Sequence, residues 1–119
     1  MQNGKSIRLT PTDMQAIDAA IDYIRREYRS RISADQLSIE VSLPIEKLQA
    51  GIQKKTNLSL HRYLLTVRIE QAKELLASTN APVKSIAFKT GFRDESYFCK
   101  VFKRLAEITP IAFRLKQVG

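Results

Sequence analysis

Apolar side chains along this chain recur at intervals of three and four residues, separated by short polar breaks. No segment alternates with the period of two that a half-buried strand requires, so the pattern predicts an all-α protein. The first helix is expected from Thr12, with Ile17, Ala20, Ile21, Ile24 and Tyr28 on one face and Thr12 or Asp13 as its cap. Ser33 followed three residues later by Gln36 has capping-box form and predicts a short helix from Ala34 to about Val41, with Leu37 and Val41 inward. Ser42-Leu43-Pro44 interrupts it. The next helix runs from Ile45 to Thr56 with Leu48 and Ile52 inward, and Asn57 suits a left-handed C-terminal position. Ser59 caps the longest helix, which ends near Ser78 or Thr79 and carries Tyr63, Val67, Ala72, Leu75 and Leu76 on its apolar face. About 20 residues at about 1.5 Å each make it a rod of roughly 30 Å.

The stretch from Pro82 to Arg104 has the clearest punctuation. Pro82 suits a first helical turn, Gly91 a left-handed helix end, and Asp94 the cap of a following helix. On that helix Phe98, Val101, Phe102 and Leu105 fall at i, i+3, i+4 and i+7 and form one stripe. Thr109-Pro110 then starts a last short helix. Two helices joined by a tight turn containing Gly are the signature of a helix-turn-helix, whose second helix enters a DNA major groove.

The pattern occurs twice. Leu37 to Leu43 lies under Ile86 to Phe92 at an offset of 49, and Leu48, Ile52, Ser59 and Tyr63 lie under Phe98, Phe102, Thr109 and Phe113 at an offset of 50. Apolar, turn and cap positions agree together, which marks the duplication of one module. The expected organisation is a lead-in over 1–11, a first helix-turn-helix subdomain over 12–58, a linker helix over 59–79 and a second subdomain over 80–119, about seven helices in all. Successive major grooves on one face of B-DNA lie about 34 Å apart, so a rod of this length suits two recognition helices in adjacent grooves.

Charge sharpens the picture. Of the 119 residues, 20 are Lys or Arg and 12 are Asp or Glu, a formal net charge of +8. Residues 1–43 carry 6 basic and 6 acidic side chains, residues 44–80 carry 6 and 3, and residues 81–119 carry 8 and 3. The basic excess builds towards the second helix-turn-helix and favours a polyanionic partner. One cysteine, Cys99, and one histidine, His61, supply neither a disulfide nor a metal cluster. No apolar run has the length of a membrane span and no signal-peptide core opens the chain, so a reducing, cytoplasmic setting is expected.

Candidate contact residues follow from the two second helices. On the later one, Lys100 and Lys103 are placed for phosphate or guanine, and Arg93, Glu95, Ser96 and Cys99 lie at its start or on its face. Ser96 suits a phosphate near the helix N-terminus, and Glu95 can accept from cytosine N4. On the earlier helix, Ile45, Glu46, Lys47, Gln49, Ala50 and Gln53 are the outward candidates. Gln49 is the best base reader there, since Gln bonds adenine bidentately, while Lys47, Lys54 and Lys55 suit phosphates. Arg68 is expected to brace the fold, and Phe88, Phe92, Phe98, Phe102 and Phe113 to form core.

Ile86-Ala87, Gly91-Phe92, Ser96-Tyr97-Phe98, Val101 to Arg104, Thr109-Pro110 and Phe113-Arg114 together resemble the DNA-binding domain of the AraC/XylS family of bacterial transcription regulators. Tyr63, Arg68-Ile69-Glu70, Ala72-Lys73 and Leu75-Leu76 are similar to that family's linker helix, and the resemblance covers roughly residues 17–116. It implies seven helices in two helix-turn-helix subdomains and sequence-specific control of transcription. It also implies double-stranded DNA as partner, RNA polymerase as a candidate second partner, no cofactor, and a small-molecule effector only where a separate domain exists. The first unit departs from the family pattern: Ser38 stands for Ala, Ser42 for the turn Gly, Pro44 for the capping residue, Ala50 for Arg and Ile52-Gln53 for Phe-Lys, while Gly51 sits mid-helix. In the second unit Glu107 stands where Gly is typical. These changes make the second recognition helix the expected dominant one. The competing reading is a protein-interaction module of the same fold with weak or no DNA binding. An enzyme is not expected: one Cys cannot build the zinc-held cysteine cluster of DNA-methyl repair, and neither a Ser/His/Asp pattern nor a phosphate loop is present.

Overall fold

A computed structural model describes residues 7–118. Among the described residues it has seven helices and no strand: α1 (Pro11–Glu27), α2 (Ala34–Glu40), α3 (Ile45–Thr56), α4 (Leu60–Ser78), α5 (Val83–Lys89), α6 (Glu95–Ala106) and α7 (Pro110–Val118). Residues 1–6 of the expected lead-in lie outside the described residues. The chain divides into two units, one drawn from 1–27 and 32–63, the other from 28–31 and 64–119.

In the first unit α1 and α2 both pack on α3. The cap of α1 lies earlier than the sequence reading placed it. Thr10 Oγ1 accepts from the Asp13 N–H at 3.0 Å and the Asp13 carboxylate accepts from the Thr10 N–H at 2.9 Å, so Thr10 is the cap and Pro11 opens the helix. Ile17, Ala20 and Ile24 face inward from α1, with Leu37, Leu48 and Ile52 buried on α2 and α3. Gly51 belongs to this interface. A Cβ at Gly51 would run into the Ile17 side chain, so the mid-helix glycine, which reads as a propensity loss, is what lets α1 and α3 approach.

In the second unit Leu65, Ile69, Ala72 and Leu76 of α4 bury against Ile86, Ala87, Phe92, Phe98, Val101 and Phe102. The aromatic rings run in a chain: Phe92 to Phe98 at 5.1 Å, Phe98 to Phe102 at 5.8 Å and Phe102 to Phe113 at 5.8 Å between centroids. Two expected core residues lie elsewhere. Phe88, one step round α5 from the buried Ala87, is 48% exposed, and Leu105, on the stripe but in the last turn of α6, is 38% exposed.

The duplication extends to the hydrogen bonds. Leu43 N–H donates to Ser38 O and Phe92 N–H to Ala87 O, both at 3.0 Å. Ser42 takes φ 53° where Gly91 takes φ 101°, and Asn57 (φ 62°) and Glu107 (φ 68°) end α3 and α6 in the same left-handed conformation. Both of the latter close with an N–H donated to the fourth residue back, Gln53 O and Lys103 O, at 2.8 Å. Residues 51–60 and 101–110 repeat one another in burial position by position. One departure in the first unit is compensated locally. The Ser38 hydroxyl donates to Leu43 O, so a polar atom at the helix contact is satisfied across the turn itself. Pro44 gives α3 no side-chain cap, whereas Asp94 accepts from Ser96 N–H at 3.0 Å.

Two half-buried arginines hold carbonyls that follow or end helices in the second unit. Arg68 donates through Nε to Tyr28 O at 2.7 Å and through Nη2 to Ser30 O at 2.8 Å, and its guanidinium lies 5.7 Å from the Phe92 ring centroid. Arg114 donates to Leu76 O at 3.1 Å and to Ala81 O at 2.8 Å.

Gly51→Ala is expected to destabilise by about 1–3 kcal/mol through overpacking, the opposite sign from Gly→Ala on an open helix. Urea denaturation reads the sign. Arg68→Lys is expected to lose about 1.5–3 kcal/mol, as much as Arg68→Ala within error, because one ammonium cannot span both carbonyls in a planar fork; stability restored by Lys would contradict the two-point hold.

Candidate nucleic-acid interface

The second helix of the later helix-turn-helix, α6, starts where Asp94 caps it and turns its stripe of Phe98, Val101 and Phe102 into the core. That orientation leaves Glu95, Ser96, Cys99, Lys100 and Lys103 outward. With Thr109, the cap at the start of α7, these five line a cleft of about 520 Å³. Five of the residues singled out from the sequence are thus brought together, and Arg93 stands exposed just before the cap. Cys99 is half-buried. Burial first, then the neighbouring Glu95 carboxylate, push its thiol above the usual range, so at neutral pH it is a neutral group rather than a thiolate.

The matching helix of the first unit, α3, borders a cleft of about 500 Å³, lined by Ile32, Ser33, Ala34, Gln49, Gln53, Ser59, Leu60 and His61. Gln49, Gln53 and Ser59 stand at the registers of Cys99, Lys103 and Thr109. Sequence reasoning named Gln49 and Gln53 but missed Ser33, Ser59 and His61 as cleft residues. Their signal was present, since Ser59 answers Thr109 in the repeat.

Lys47 is placed differently from the other candidates. Its Nζ lies 2.9 Å from Asp13 Oδ2, whose side chain is 12% exposed, and Lys55 Nζ pairs with Asp18 Oδ1 at 3.0 Å. Two of the three cations expected to meet phosphate from this unit are therefore turned to acids of α1. Asp13 is held below the usual carboxylate range, first by the Thr10 backbone N–H and next by the Lys47 ammonium. Among the described residues no group of His, Cys, Asp and Glu forms a metal site, and no helix is long and apolar enough to cross a membrane.

This architecture, a helix-turn-helix built twice with each outward second helix backed by a cleft, defines a class of DNA-binding regulator domains. Residues 37–116 match the helix-turn-helix domain family, and the chain belongs to the AraC/XylS family as its DNA-binding domain. It is 29% identical over 111 residues to the uncharacterized HTH-type transcriptional regulator YijO of Escherichia coli K12. That match takes in 93% of this chain and 39% of YijO, so the chain spans about two-fifths of that relative's length. Among solved structures, the C-terminal domain of the two-component response regulator yesN from Fusobacterium nucleatum is similar at TM-score 0.76 and 31% identity, covering 84% of this chain and 98% of that one. The DNA-binding domain of AdpA, solved in complex with a target DNA, shares the fold at TM-score 0.80 and 19% identity, covering 85% and 91%.

Because its native value is depressed, Asp13 contributes stability that is present above its unfolded value of about 3.9 and is lost as pH falls through the native one. Asp13→Asn is expected to lower the melting temperature at pH 7, with the gap to the parent closing below about pH 3.9. A gap that persists unchanged at pH 2.5 would mean that packing, not charge, is what the carboxylate supplies.

Proposed function

We propose that the domain binds duplex DNA sequence-specifically in transcription regulation, with α3 and α6 as recognition helices in adjacent major grooves and α6 supplying more of the affinity. The observation that carries this reading is the doubled helix-turn-helix whose second recognition face gathers Lys100 and Lys103 beside Ser96 and Thr109. Lysines meet phosphate as point charges, and Arg93 at the approach to the helix adds to the same field. Ser96 lies in the first turn of α6, where the helix dipole favours an anion. Glu95 accepts from cytosine N4 or excludes other bases, and the neutral Cys99 lies against base edges. From the first unit Gln49 reaches bases, and Lys47 acts from its pairing with Asp13. A domain of this fold stands on a target DNA in AdpA, which supports the same partner here. Bacterial relatives and a DNA partner support a cytoplasmic setting.

The test is duplex binding measured across ionic strength. Affinity is expected to fall steeply with salt, each neutralised phosphate contributing about −0.9 to the slope of log K against log salt. Lys100→Ala and Lys103→Ala should each flatten that slope by about 1. Lys100→Ala should weaken binding more than Ala50→Gly at the matching position. Equal losses would remove the dominance of α6, and no binding to a genomic-fragment pool at low salt would leave the protein-interaction reading.

A further inference from the structure

The two clefts share three registers, Gln49 with Cys99, Gln53 with Lys103 and Ser59 with Thr109, and differ in charge. At the register of Lys103 the first unit has Gln53, at that of Lys100 it has the half-buried Ala50, and at that of Cys99 it has Gln49. Lys47 and Lys55 are drawn to Asp13 and Asp18 on α1. Lys54 is exposed on α3 but does not line the cleft. What remains facing the cleft is two amides at i and i+4 on one helix face, two serines and His61, with no carboxylate or ammonium among the lining residues.

Resting on the DNA-binding reading above, we infer that the two units divide the work unevenly: the second supplies most of the phosphate contacts, and the first adds base reading through Gln49 and Gln53, recognising A·T pairs in the major groove. A glutamine amide matches the donor and acceptor that adenine presents at N6 and N7, and discriminates against other bases. An uncharged amide releases no counterions, so its contribution is independent of salt. Phosphate contacts by lysine are the converse, strongly salt-dependent and indifferent to sequence. The arrangement thus weights one copy of the module towards specificity and the other towards affinity.

The experiment is selection from a random duplex pool at pH 8, followed by affinity measurement across salt, on the full chain and on Gln49→Ala, Gln53→Ala and Gln53→Lys. Both glutamines are exposed, and thermal melts confirm that the variants fold. The parent is expected to select a two-part site with one part rich in A·T. Each alanine variant should lose about 5- to 100-fold on that site and lose preference within that part only, with the salt slope unchanged. Gln53→Lys, which installs the residue of the second unit at that register, should steepen the slope by about 1 and flatten the A·T preference. The inference is overturned if the alanine variants keep the full preference, if the positions they control are G·C, or if their loss appears as a flatter salt slope. In each of those cases DNA binding itself still stands; absence of binding by the parent removes both readings.

Discussion

The second unit depends on one guanidinium. Arg68 fills the space beside Gly91, holds Tyr28 O and Ser30 O, and lies over Phe92. Burial lowers its affinity for a proton, yet it remains charged at any working pH, so its desolvation has to be offset by the two carbonyls it satisfies. Gly91 is then fixed twice over. Its φ of 101° disfavours a side chain, and a Cβ there would approach Arg68 Nε at 2.8 Å and Tyr28 O at 2.9 Å. The turn that sets the direction of α6 is therefore tied to α4 and to the segment after α1, which explains why this unit includes residues 28–31.

Duplication gives two modules one backbone, but their neighbours differ. Below α3 lies α1, rich in acids, and its Asp13 and Asp18 take two lysines out of the outward face. Below α6 lies α4, whose contribution is Leu65, Ile69, Ala72 and Leu76, and the outward lysines of α6 line their cleft with Thr109. The difference in surface character comes as much from the supporting helix as from the outward helix.

Much of this was legible from the residues. Ser33, Asp94, Thr109-Pro110, Gly91 and Asn57 fix helix ends through local hydrogen bonds or backbone preference, so the helices α2 to α7 and the repeat can be read without a tertiary contact. The outward positions of α6 follow from its apolar stripe in the same way. What escaped depends on contacts between elements. Gly51 looks like a defect until Ile17 is beside it, Lys47 and Lys55 look free until α1 is packed, and Phe88 looks like core because hydrophobicity does not say which face is covered. Thr10 is the exception. Its Thr-Pro pairing repeats that of Thr109-Pro110 and offered a local signal that the run of polar residues around it obscured.

The contact of Gly51 with Ile17 bears on how such a domain is re-engineered. Residue 51 answers to Val101 in the other unit, so exchanging α3 and α6 whole between the halves would bring a valine into the space that Ile17 occupies. The interchangeable part is a coat of outward side chains laid over two non-interchangeable frames. Changing the outward surface of the first half is a matter of substitutions at positions such as 46, 49 and 53, with the inward residues left as the frame that each half has individually fitted.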